Sequence, residues 1–217
     1  MTNTPGSLSS LSSVILAGGR SRRMGQDKAL MALPNGKSLL GQTVEVARSL
    51  TDQINIVTPW PERYQSAIAP PILWIKDPLE AGPLTGFAQA WPQIQSDWCL
   101  LLACDLPHLD ARKLNQWWQW LSSKTDKPHQ LQASLVKSLK GWEPLCGYYH
   151  RSCLPSLTQH LHSGELDFQS WLPTLKILTY QDLPPKLLFN CNRPSDWAEL
   201  SPTEKPPEKP AERCCEL

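Results

Sequence analysis

The densest chemistry in this chain lies in Gly18-Gly19-Arg20-Ser21-Arg22-Arg23-Met24-Gly25-Gln26-Asp27-Lys28, directly behind the apolar run Val14-Ile15-Leu16-Ala17. Glycines let a backbone turn tightly and approach a ligand where a Cβ would not fit. The cations suit oxyanions. Lys28 can reach a β- or γ-phosphate as a point charge, and Arg23 can add a bidentate contact. Arg20 and Arg22 either join it or stay solvated. A strand, a glycine loop and then cations is the physical description of a triphosphate cradle. The alternative is a basic surface loop after a strand. Two familiar templates do not fit. The adjacent glycines break the G-x-G-x-x-G dinucleotide fingerprint, and Gly25 is followed by Gln26 rather than by the Lys-Ser/Thr of a P-loop. Gly36-Lys37-Ser38 has Met31 where a P-loop's first glycine belongs.

Asp105 is the second candidate. It follows Trp98-Cys99-Leu100-Leu101-Leu102-Ala103, the most continuously apolar run in the chain. An ionised carboxylate at that strand end is placed to hold Mg²⁺, which favours carboxylates, water and phosphate oxygens. It can also cap the helix that follows. Other clusters are weaker. His160-x-His162 with scattered cysteines has no coherent zinc spacing. Trp117-Trp118-Gln119-Trp120 has no interleaved basic residues and reads as helix packing rather than base stacking.

The elements that must position these groups follow from the apolar pattern. Strands are expected at Val14 to Ala17, Ile54 to Val57, Ile72 to Ile75 and Trp98 to Ala103. Helices are expected from Leu39 (capped by Ser38) to about residue 50, near Glu62 to Ile68, over Leu84 to Ile94, and near Ala111 to Leu121. Pro34-Asn35-Gly36-Lys37 signals a turn closing a small hairpin. Runs without alternation, separated by helices, argue for a parallel sheet covered on both faces. Ligands of such sheets bind at the carboxyl ends of the strands. The polar residues gather at those ends: the glycine–cation loop, Thr58, Asp77 and Asp105. The second half is less regular, with strands expected at 131–136, 143–149 and 177–180. Helical segments are expected at 153–161, at 168–172 and, capped by Ser195, at 196–200.

Whole-chain quantities bound the rest. A length of 217 residues suits one domain, residues 13–200, between disordered segments at 1–12 and 201–217. The net charge of +1 gives no electrostatic case for nucleic acid or an acidic membrane. No apolar run reaches membrane-spanning length, and the start lacks a secretory pattern. Seven cysteines without C-x-x-C spacing point to a reduced, cytoplasmic protein.

Leu16-Ala17-Gly18-Gly19-x-Ser21-x-Arg23-Met24-Gly25-x-Asp27-Lys28 resembles the signature of the sugar-phosphate and cofactor nucleotidyltransferases. Within them the chain most resembles the molybdenum cofactor guanylyltransferase family. Cys104-Asp105-Leu106-Pro107 is similar to the family's C-D-x-P metal motif. Gly82-Pro83-Leu84-Thr85-Gly86, behind Asp77, is similar to its G-P-L-x-G base and ribose loop. Asn190-Cys191-Asn192-Arg193-Pro194 is similar to its late N-x-N-x-P element.

The resemblance implies a three-layer, Rossmann-like α/β fold with a mostly parallel sheet. It implies GMP transfer from GTP to the terminal phosphate of molybdopterin, with or without molybdenum, releasing pyrophosphate. Mg²⁺ on Asp105 is implied as cofactor, and Lys28 and Arg23 as catalytic cations. Nucleotide contacts fall on Leu16, Ala17, Gly18, Lys28, Thr58, Asp77, Gly82 and Asp105. Asp77 accepts from guanine or from ribose. Asn190 and Asn192 lie on the acceptor or second-metal side, and Glu143-Pro144-Leu145 on the acceptor side. Molybdenum insertion proteins and molybdoenzyme clients are the implied partners. Two departures stand out. Thr58 replaces an expected Asn, and Leu166-Asp167-Phe168 replaces arginines expected after Glu165. A sister transferase, using CTP or a sugar 1-phosphate, and a non-catalytic nucleotide-binding adaptor are the alternatives.

Overall fold

The computed structural model describes residues 10–19, 27–124 and 131–200. Arg20, Arg22 and Arg23 therefore lie outside the described residues, as do most of the expected terminal segments. Seven strands form one sheet: β1 (Leu11–Leu16), β2 (Ile54–Thr58), β3 (Leu73–Lys76), β4 (Trp98–Ala103), β5 (Ala133–Ser138), β6 (Gly141–His150) and β7 (Ile177–Thr179). Their spatial order is β3-β2-β1-β4-β6-β5-β7. Strands β3, β2, β1 and β4 pair in parallel, as expected. Strand β6 runs against both β4 and β5, while β7 pairs with β5 in parallel. Chain order reverses between β1 and β4, so the ends of these two neighbours form the crevice typical of open α/β sheets.

The sheet is buried on both faces because its central strands alternate two sets of apolar side chains. Leu11, Ile15, Leu100 and Leu102 face one layer, which includes α1 (Leu39–Arg48) and α4 (Ala111–Lys124). Val14, Cys99 and Leu101 face the other, with α3 (Pro83–Ala90), α5 (Leu154–His162) and α6 (Phe168–Trp171). Two short helices, α2 (Pro61–Tyr64) and α7 (Pro194–Ala198), bring chain to the crevice. The tryptophan-rich stretch of α4 is packing. Trp117 is buried, stacks on Tyr180 with centroids 4.9 Å apart, and donates to Ser134 Oγ at 2.9 Å.

Three expectations need correction. Strand β1 starts at Leu11, so Leu11 and Ser12 belong to the sheet rather than to a disordered segment. The polar serines masked this. Ser12 is buried, and its hydroxyl donates to Gln53 Oε1 and accepts from Ser96 Oγ, both at 2.7 Å. The last helix starts at Pro194 with Arg193, not Ser195, at the cap position. Asp196 accepts the N–H groups of Asn192 and Arg193 instead, each at 2.8 Å, and the Asn192 bond holds its carboxyl below the ordinary range. Finally, the expected helix at 84–94 gives way to a 3₁₀ turn at Trp91–Gln93, where Pro92 cannot continue it. Other local signals hold. Ser38 accepts Gly41 N–H at 3.1 Å as the α1 cap. The Asn35-Gly36 turn closes with an Ala32–Ser38 bridge and Gly36 at φ 80°.

Candidate active site

A cavity of about 480 Å³ opens at the carboxyl ends of β1, β2 and β4, within the usual range for small-molecule sites. Leu16, Ala17, Gly18 and Gly19 line it from β1, Asp77 and Gly82 from the loop after β3, and Cys104 and Asp105 from β4. Lys28, Asn190 and Asn192 complete one end. Every described residue expected to bind nucleotide or metal, with Asn190 and Asn192, meets there with one exception; of Glu143-Pro144-Leu145 only Leu145 lines the cavity.

That exception is Thr58. It is fully buried, and Val57, not Thr58, lines the cavity. Its hydroxyl accepts Trp60 N–H at 3.3 Å, and its carbonyl accepts Asp77 N–H at 2.9 Å. Thr58 thus shapes the turn into α2 and holds Asp77 in place. The β1 end is also partly committed. Ala17 N–H donates to Val57 O at 2.9 Å, and Leu16 O accepts Cys104 N–H at 3.2 Å. The Ala17 carbonyl and Gly18 line the cavity beside these bonds. Among the described residues, a Cβ built on Gly19 would meet nothing within 4 Å, and Gly19 lines the cavity.

Asp77 is buried, and its Oδ1 accepts from Leu79 N–H (3.2 Å), Glu80 N–H (3.2 Å) and Gln89 Nε2 (2.9 Å). Those bonds stiffen the loop into α3. Among the described residues none bonds Oδ2, so this oxygen is left for a ligand. Glu80 adopts φ 45°, and Gly82, preceding Pro83 at the helix start, adopts φ 114°. An L-residue rarely takes the latter conformation, so Gly82→Ala is expected to cost about 1–3 kcal/mol of stability. Thermal melting checks this, with a shift of several degrees expected and an unchanged midpoint excluding the strain.

The cation end is the most tightly organised part. The Lys28 ammonium donates to Asp105 Oδ2 at 3.2 Å, to Cys191 O at 3.2 Å and to Asn192 Oδ1 at 2.8 Å. Cys191 N–H donates back to Asp105 O at 3.0 Å. Three segments far apart in sequence are thereby tied at one point. The pair is sheltered, with the Lys28 and Asp105 side chains 13% and 19% exposed. Asn190, held through Nδ2 to Leu188 O at 3.2 Å, stands beside them on the cavity wall.

Asp105 Oδ1 is buried and has no hydrogen-bond partner among the described residues. A sheltered carboxylate oxygen left unpaired is costly unless a cation or donor meets it. The donor set therefore fits Mg²⁺. No group of three or more His, Cys, Asp or Glu among the described residues could hold a metal. An ion here would take most of its ligands from water and phosphate, as Mg²⁺ commonly does. Cys104 does not compete, since burial and then the adjacent Asp105 charge push its thiol up to about 12. Near neutral pH it is a protonated wall residue, not a thiolate ligand.

Sequence reasoning gave no site role to Tyr64 or Asp27, although both line the cavity. Asp27 stood within the glycine–cation motif as a signal. Tyr64 offered none, because its hydroxyl reaches Asp27 across 37 residues. Leu145, expected on the acceptor side, also lines the cavity. Asp167, standing where an arginine was expected, caps α6 by accepting Ser170 N–H at 2.9 Å.

Residues 13–176 match the model of the MobA-like NTP transferase domain. A Nostoc sp. protein named "Probable molybdenum cofactor guanylyltransferase" is 42% identical over 211 residues, 94% of this chain and 100% of its own length. A Synechococcus elongatus protein of the same name is 44% identical over 193 residues, covering 86% of this chain and 96% of its own. Among solved structures, molybdopterin-guanine dinucleotide biosynthesis protein A from Archaeoglobus fulgidus shares the fold. Its TM-score is 0.69 over 87% of this chain and 96% of that one, at 23% identity. CMP:2-keto-3-deoxy-manno-octonic acid synthetase, solved with CTP, scores 0.65 over 88% and 96%, at 15% identity. On the matched domain and these relatives, the chain belongs to the MobA-like NTP transferases and, within them, to the molybdenum cofactor guanylyltransferase family.

Proposed function

We propose that this enzyme transfers GMP from GTP to the terminal phosphate of molybdopterin, with or without molybdenum, and releases pyrophosphate. The observation that carries this reading is the Lys28–Asp105–Asn192 junction at the cavity end, with one buried Asp105 oxygen left unpaired. In the reaction an acceptor phosphate oxygen bonds to the α-phosphorus of GTP, the bond from that phosphorus to the bridging oxygen breaks, and pyrophosphate carries off the electron pair. No covalent bond to the protein is needed. Alignment and charge neutralisation are the protein's tasks.

The groups divide accordingly. Asp77 Oδ2 accepts from guanine or the ribose hydroxyls, while its Oδ1 keeps the loop rigid. The Gly18-Gly19 backbone admits the nucleotide close to the sheet edge. Lys28 neutralises the departing phosphates, and Arg23 adds a second cation. Asp105 would hold Mg²⁺ through Oδ1, with Asn192 and Asn190 supplying neutral oxygens on the acceptor side. When bound, the ion neutralises phosphate charge as a Lewis acid.

A cytoplasmic setting agrees with the unpaired described cysteines, Cys99, Cys104, Cys146, Cys153 and Cys191. Among the described residues no helix is long and apolar enough to cross a membrane. Molybdenum insertion proteins and molybdoenzymes are the proposed protein partners. The test is pyrophosphate release on mixing the protein with Mg²⁺, molybdopterin and GTP, CTP or ATP in parallel. Release with GTP is expected. Release confined to CTP would move the chain to the sister cytidylyltransferases, and GTP binding without release would favour an adaptor.

A further inference from the structure

We propose that Tyr64 is a positioning residue for Lys28, acting through Asp27. The inference rests on the functional reading above, in which Lys28 meets the phosphates of GTP.

The geometry is a short relay. The Tyr64 hydroxyl donates to Asp27 Oδ2 at 2.8 Å. Asp27 Oδ1 accepts the Ala29 N–H at 3.1 Å and so caps the 3₁₀ turn Lys28–Leu30. Lys28 is the first residue of that turn, and its side chain runs from there to Asp105, Cys191 and Asn192. One carboxylate therefore joins the start of the lysine's turn to a phenol on a different element. That phenol does not move freely. Tyr64 is 1% exposed, ends α2, and packs in the same core as Ile15, Leu40 and Tyr148. Burial and the Asp27 carboxylate push its hydroxyl pKa well up, so it remains a donor across the working pH range.

Arg63 also reaches Asp27 Oδ2, at 3.4 Å, but it is half exposed and lies over the Trp60 ring with 4.6 Å to the centroid. A half-exposed pair at that distance adds little. The phenol, short and sheltered, is the bond that sets the carboxylate's direction. Phenylalanine at 64 would keep the packing and leave Asp27 Oδ2 facing an apolar ring edge. The carboxylate would then turn toward solvent and release the cap. Lys28 would begin its side chain from a different backbone position.

The experiment is a double-mutant cycle in full-length protein, using Tyr64→Phe, Lys28→Ala and the pair, read as affinity for GTP with Mg²⁺ by calorimetry. Tyr64→Phe is expected to weaken GTP about tenfold when Lys28 is present, the size of one lost charge-assisted hydrogen bond. In the Lys28→Ala background it should change affinity less than about twofold, because the group it positions is gone. Wild-type affinity in Tyr64→Phe would overturn the proposal. An equal loss in both backgrounds would also overturn it, assigning Tyr64 a purely structural role. Should Tyr64→Phe fail to fold, Asp27→Asn reads the same link from its other end, with the same two outcomes. Failure of the functional reading shows separately, as wild-type protein that binds GTP but transfers nothing to molybdopterin.

Discussion

Asp105→Ala is expected to lower nucleotidyl transfer by about a thousandfold or more, the scale on which lost electrostatic stabilisation shows in transfer reactions. Its fold should survive. The side chain lines the cavity at a strand end rather than packing in the core, and the bond from Cys191 N–H goes to the Asp105 backbone carbonyl, which alanine retains. The Lys28 ammonium keeps its Cys191 O and Asn192 Oδ1 acceptors, so its charge stays hydrogen-bonded when the carboxylate is removed. Melting temperature and transfer rate, measured on the same preparation, separate the two effects. Asp105→Asn refines the test, since it keeps a neutral oxygen and the shape. It should require more Mg²⁺ for half-maximal rate. Wild-type rates in Asp105→Ala with Mg²⁺ present would remove Asp105 from the metal.

Lys28→Ala carries the second large effect, an expected fall of about a hundredfold or more in kcat/KM for GTP. Two losses combine. The phosphates lose a cation, and the 190–192 segment loses the two bonds through Cys191 O and Asn192 Oδ1 that tie it to the first third of the chain. Lys28→Arg should not restore activity. A planar guanidinium cannot present one nitrogen to three acceptors as an ammonium does. Steady-state rates over a range of GTP concentrations decide this, and an unchanged GTP dependence in Lys28→Ala would count against the role.

What could be read in advance depended on how local each cause is. Strand β4 was legible to the residue, because Trp98 to Ala103 is apolar throughout and buried on both faces. Asp105 followed from its place at that strand's end, and Ser38 from N-cap chemistry three residues before Gly41. The Asp77 loop was legible as a binding loop, but not the use of Oδ1 as an internal brace, which depends on Gln89 one helix later. Thr58 was misplaced for a geometric reason. A strand-end position does not say whether the side chain points into the crevice or into the turn. Tyr64 was invisible, since only the folded chain brings α2 against Asp27. The reversed β6 came from the tight Ser138-Leu139-Lys140-Gly141 connection, with Gly141 at φ 112°, a signal weaker than the strands it joins.

The most direct test of the account follows the phosphorus. GTP labelled at the α-phosphate is incubated with Mg²⁺, molybdopterin and the protein, beside GTP labelled at the γ-phosphate. The account predicts α-label in a guanine dinucleotide of the pterin and γ-label in pyrophosphate. Label from the γ-position on the pterin, or α-label left entirely in free nucleotides, would contradict it.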